Sequence, residues 1–110
     1  MSNFSDVMGY IGLSPDEAAA ALKVSEAEIV RWCDTNEAPP IHIWQSLVRM
    51  LDEIRISAEE AAKSADLDQL DATDLNRINL MVPGQPASDF AGPKRAATAL
   101  AVAAIARVFV

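Results

Sequence analysis

"SPDEAAAALKVSEAEIVRW" (residues 14–32) carries the pattern Ser-x-x-Glu twice, as Ser14 to Glu17 and as Ser25 to Glu28. In this pattern the serine hydroxyl caps the first helical turn and the glutamate reaches back to the cap. Each copy therefore predicts a helix start. Pro15 falls at a first helical position, where its missing N–H costs nothing. Asp16 and Glu17 suit the positive end of the helix dipole. Because the second start follows so soon, the first helix must be short and must turn sharply into the second. Ala18, Ala19 and Leu22 supply a narrow apolar face on the first. Ile29 and Trp32 form the inward stripe of the second at helical spacing.

The same logic extends outward. "FSDVMGYIG" (4–12) predicts a short preceding helix with Ser5 as N-cap and Val7, Met8, Tyr10 and Ile11 as buried candidates, although Gly9 is a poor helix former. "TNEAPP" (35–40) breaks the chain. "IHIWQSLVRMLDEIR" (41–55) is the most amphipathic segment, with Ile43, Leu47, Met50, Leu51 and Ile54 at helical spacing. A third Ser-x-x-Glu, Ser57 to Glu60, predicts a separate, acidic and largely exposed helix over "SAEEAAKSADLDQL" (57–70). "DATDLNRINLMV" (71–82) reads either as another helical turn from Asp74 or as a short extended segment. "PGQPASDFAGP" (83–93) is loop by its Pro and Gly content. "PKRAATALAVAAIARVFV" (93–110) predicts a terminal helix beginning at Pro93. It is apolar nearly all round, yet only eleven residues separate Arg95 from Arg107, against roughly 20 needed to span a bilayer. The expectation is burial in a core or a dimer interface, with no membrane role.

Composition agrees with helices. Of 110 residues, 51% are apolar, and Ala supplies much of that share. The single cysteine, Cys33, excludes an intramolecular disulfide. The opening residues show no basic stretch followed by an apolar one, so no signal peptide is expected and the cytoplasm is the default. The formal net charge is −7, which opposes bulk attraction to nucleic acid. The charge is uneven. Residues 1–56 have nine acids and four bases, and residues 57–82 have six acids and two bases. Residues 83–110 have one acid, Asp89, and three bases, Lys94, Arg95 and Arg107.

Residues 5–55 resemble the helix-turn-helix of the phage repressor/Cro-like (XRE-type) family. The small Ala19 inside the first helix, Leu22 and Val24 around the turn, and Ile29 and Trp32 packing back match that pattern. So do the Arg31-Trp32 pair, the prolines that follow, and the amphipathic helix from Ile41. Lys23 departs from it, standing where the family often has Gly. The resemblance implies an all-α fold, a small helical bundle containing a helix-turn-helix, over 1–56, the helix-turn-helix domain. Beyond Ile56 no family is recognised, and 57–110 is read from its own residues as a helical extension whose Ala-rich terminal helix is expected to pack in the core or a dimer.

By the same resemblance the chain is a DNA-binding transcriptional regulator, dimeric, reading duplex DNA with the N-terminal part of the second helix. The implied contacts are Lys23, Ser25, Glu26, Ala27, Val30 and Arg31, with Asp34 also facing outward. Arg31 would hold a phosphate or guanine, and Ser25 a phosphate. Glu26 would accept from cytosine N4, while Ala27 and Val30 would meet a thymine methyl. Lys23 would touch the DNA backbone. Glu26, Glu28 and Asp34 oppose phosphate contact. This opens the alternative of an acidic adaptor whose face (Glu17, Glu26, Glu28, Asp34, Glu37, Glu59, Glu60, Asp66) binds a basic nucleic-acid-binding protein or polymerase subunit. Trp32 and Trp44 read as core. His42, the lone histidine, has no partners at metal-ligand spacing. Asp66, Asp68, Asp71 and Asp74 lack the glycine and glutamate of a calcium loop. No nucleophile stands with a base, and no Gly-rich phosphate loop is present. Neither metal, cofactor nor catalysis is expected.

Overall fold

The computed structural model describes residues 2–80 and 90–110, which are all-α, with no strand among them. The helices are α1 (Asn3–Ile11), α2 (Pro15–Leu22), α3 (Glu26–Asp34), α4 (Ile41–Ser64) and α5 (Ala91–Ala106). Short 3-10 turns occupy Leu67–Gln69, Ala72–Asp74 and Arg107–Phe109. The segments "INLMV" and "PGQPASDFAGP" lie partly outside the described residues.

α1 begins earlier than its sequence predicts. Its cap is Ser2, not Ser5: the Ser2 hydroxyl accepts from the Ser5 N–H at 3.2 Å and donates to the Trp32 carbonyl at 2.6 Å. The Ser2 N–H also donates to the Cys33 carbonyl. One residue thus caps α1 and satisfies carbonyls that the end of α3 would leave orphaned. The earlier start puts Phe4 in the core and Tyr10 at the surface, 50% exposed, correcting its placement as a buried residue. Phe4 meets Trp32 and Trp44 edge-on, at centroid distances of 5.6 and 6.0 Å. Edge-to-face pairs of this kind add to simple burial.

α1 and α2 end alike. At the end of α1, Gly12 takes a left-handed conformation (φ 81°), and the Gly12 and Leu13 N–H groups both donate to the Met8 carbonyl. At the end of α2, Lys23 does the same (φ 59°), and the Lys23 and Val24 N–H groups donate to the Ala19 carbonyl. Each closure satisfies helix-end carbonyls and seats the following apolar residue against the core.

α4 is one helix of 24 residues, roughly 36 Å long. The separate start expected at Ser57 does not occur. No Gly or Pro interrupts the chain there, and Ile54, Ala58 and Ala61 keep helical spacing. Ser57, Ala58 and Ala61 are buried, where a first turn would be exposed. The division expected between residues 56 and 57 falls inside this helix. Beyond Ser64 the acidic run is cap chemistry rather than a helix face. Asp66 accepts from the Asp68 N–H, Asp71 from the Thr73 N–H, and Asp74 from the Asp71 N–H.

α5 starts at Ala91, two residues before Pro93, and packs on α4, with Ala101 against Ala58 and Ala61; Ala97 and Ile105 are buried as well. Its N-terminal end is pressed against the end of α1. A Cβ built on Gly92 would lie 2.1 Å from the Gly12 carbonyl oxygen. The terminal helix therefore serves the core of the single chain.

Candidate nucleic-acid interface

The α2–turn–α3 unit is held by local hydrogen bonds. Ser14 and Glu17 form a complete reciprocal cap: the Ser14 N–H donates to Glu17 Oε1 at 3.0 Å, and the Glu17 N–H to Ser14 Oγ at 3.4 Å. α3 has half of one. The Glu28 N–H donates to Ser25 Oγ at 3.2 Å, but the Glu28 carboxylate takes the Ser25 hydroxyl proton rather than its backbone N–H. The Ser14 hydroxyl also reaches Asp16 Oδ1 at 2.5 Å and, with backbone N–H groups, holds that carboxyl below its ordinary 3.8.

Ile29 and Trp32 turn inward and are buried. This leaves Glu26, Ala27, Val30, Arg31 and Asp34 on one outward stripe of α3, all exposed. Lys23 and Ser25, at the turn, are exposed beside it. All six residues expected to contact DNA therefore share one surface.

Electrostatically that surface is nearly self-cancelling. Arg31 Nε is paired with Glu37 Oε2, both side chains about half exposed at 50% and 53%. The pairing follows from the backbone after α3. The Thr35 N–H and hydroxyl both cap the Arg31 carbonyl, and the Thr35 hydroxyl accepts from the Glu37 N–H at 3.1 Å. That reversal brings Glu37 back over the last turn of α3. Glu37 was legible as an acid, but not as the partner of Arg31, because six residues and a chain reversal separate them.

No protein-family model matches the chain, and no characterised protein or solved structure matches it.

Cys33 sits half-buried behind α3. Burial pushes its thiol up, the Asp34 charge adds to that, and the Ser5 hydroxyl opposes it. Such a thiol is a poor nucleophile, because the thiolate is the reactive form. Among the described residues no three His, Cys, Asp or Glu side chains group as metal ligands. No helix there is long and apolar enough to cross a membrane.

Proposed function

We propose that the chain is a non-enzymatic, sequence-specific DNA-binding regulator that acts in the cytoplasm as a homodimer. It would read duplex DNA through a helix-turn-helix formed by α2 and α3. The observation that carries this is the outward stripe of α3. Glu26, Ala27, Val30 and Arg31 stand exposed in register, with Lys23 and Ser25 at the turn, while Ile29 and Trp32 anchor the helix from behind. A short, firmly backed helix presenting its N-terminal half is what major-groove reading needs. The half-buried free thiol of Cys33 suits a reducing compartment. Pairing of copies is supported by the outer side of α5, where Ala99, Ala103 and Ala104 are exposed and small enough for close helix approach.

The Arg31–Glu37 pair favours a second reading, an acidic adaptor on the same scaffold that binds a basic protein. One experiment separates the two. Selection from a pool of random duplexes returns a defined sequence for a DNA reader, and Arg31→Ala abolishes binding to it while leaving the fold intact. Unchanged binding by that variant in a salt-titrated shift assay rejects the role given to Arg31. Failure to enrich any sequence, together with recovery of a basic partner, favours the adaptor.

A further inference from the structure

We propose that the groove between α4 and α5 is the surface on which two copies of the chain pair, joined by reciprocal Glu59–Arg107 contacts. This rests on the homodimer of the proposed function and gives it an interface.

Three observations carry it. First, the later part of α4 has a thinner cover than the earlier part. Up to Ile54, residues of α1, α2 and α3 share the main core with α4. Beyond it, Ala58 and Ala61 form a separate buried cluster with Ala101 of α5. Leu80 and Leu100 pack against that cluster, and among the described residues none from α1, α2 or α3 joins it. Second, a cavity of about 210 Å³ opens between the two helices at this level. Its apolar lining is Ala58 from α4 and Leu100, Ala103 and Ala104 from α5. Side chains this small let a further helix come close. Third, the two sides of the cavity carry opposite charges. Glu59 lines it from α4, and Arg107 lines it from the end of α5. Both are exposed.

The third observation selects the occupant. A two-fold axis running along the groove lays α4 of one copy over α5 of the other. Glu59 then meets Arg107 of the partner subunit, and symmetry repeats the contact in reverse. A groove lined by one sign of charge would repel its own copy, whereas this one is complementary to itself. Arg55 also lines the cavity and reaches Glu59 at 3.4 Å within α4. That pair is more than half exposed and worth little, so the Glu59 carboxylate can accept from the partner as well. Two α4–α5 pairs packed face to face form a four-helix bundle, which covers the thin alanine cluster of each copy.

The test is sedimentation equilibrium over a concentration series on four proteins: wild type, Glu59→Arg, Arg107→Glu and the double variant. Wild type is expected to dimerise. Each single variant sets like charges against each other twice, so its dissociation constant rises by about tenfold or more. The double variant restores both contacts and dimerises like wild type. An equimolar mixture of the two single variants does so too, because each supplies the charge that the other needs. Circular dichroism checks that the helices persist. Single variants that dimerise as wild type does overturn the groove and leave the homodimer standing elsewhere on the surface. Single variants that weaken pairing without rescue, in the mixture or in the double variant, overturn the reciprocal contact. Unfolding of the single variants also overturns it, assigning both side chains to the monomer. If wild type stays monomeric at every concentration, the homodimer falls and the groove with it.

Discussion

Gly92→Ala tests the joint between α1 and α5. An ideal Cβ at Gly92 lies 2.1 Å from the Gly12 oxygen, 2.5 Å from the Gly12 carbonyl carbon and 2.8 Å from the Ile11 oxygen. All three are backbone atoms, so no side-chain rotation relieves the clash. Ordinary C···O contact begins near 3.3 Å, so α5 must retreat by about 1.2 Å. That retreat loosens Pro93 and Ala97, which are buried against the core. Overpacking of this kind costs about 1–3 kcal/mol. At about 2 kcal/mol the melting temperature falls by roughly 8–16 °C. Helix propensity alone gives the opposite sign, since Ala is better than Gly by up to about 1 kcal/mol. Gly9 is the control, because a Cβ there meets nothing within 4 Å. Gly9→Ala stabilises by about 0.5–1 kcal/mol. Thermal unfolding followed by circular dichroism reads both variants. A Gly92→Ala protein melting at or above wild type would refute the close approach of α5 to Gly12.

Lys23 holds a left-handed conformation that costs L-residues about 1–2 kcal/mol. Lys23→Gly is therefore more stable than Lys23→Ala by about 1 kcal/mol in denaturant unfolding, and equal stabilities would contradict the turn geometry. Ser14→Ala costs about 1 kcal/mol near neutral pH through loss of the α2 cap. Asp16 has a lowered carboxyl pKa, caused first by the Ser14 hydroxyl, so its contribution is full above 3.8 and is lost as pH falls through the folded value. The stability gap between wild type and Ser14→Ala consequently narrows below about pH 3.8, and a gap that widened there would reverse the assignment. Glu37→Gln frees Arg31 from an exposed pair worth about 0–1 kcal/mol. Anisotropy titrations on a selected duplex should show tighter binding by up to about fivefold, with little change in melting temperature, whereas weaker binding would count against Arg31 as a DNA contact.

What the sequence reveals about this fold is what short-range chemistry determines. Ser14, Ser25 and their glutamates mark two helix starts because cap and partner lie three residues apart. Ile29 and Trp32 point inward because period alone separates the two faces of α3. Long-range partners decide the rest. Ser2 outcompetes Ser5 as the α1 cap because Trp32 and Cys33 offer it carbonyls some thirty residues away. Ser57 imitates a cap, yet it is a small residue inside α4, at the level where Ala58 and Ala61 meet Ala101 of α5. Gly92 reads as loop composition, and only its contact with Gly12 explains why a side chain is excluded. The candidate contact face was implied by the family resemblance, whereas its charge balance was not, because Glu37 returns to Arg31 through the Thr35 turn.

That balance bears on how an acidic chain would meet DNA. A half-exposed ion pair is weakly held, so a phosphate competes with Glu37 for Arg31 at little cost. Winning that competition still leaves Glu37, Glu26 and Asp34 near the duplex. At about 8 Å in water each such like-charge contact opposes binding by roughly 0.5 kcal/mol. Arg31 and Lys23 alone would barely offset three of them. Cations placed away from the carboxylates of α3 would tilt the sum. The acids of α3 would then act chiefly against wrong sequences. A carboxylate facing a cytosine amino group is accommodated, while one facing a guanine oxygen is repelled. On this account an acidic reading helix would sharpen discrimination at a cost in affinity.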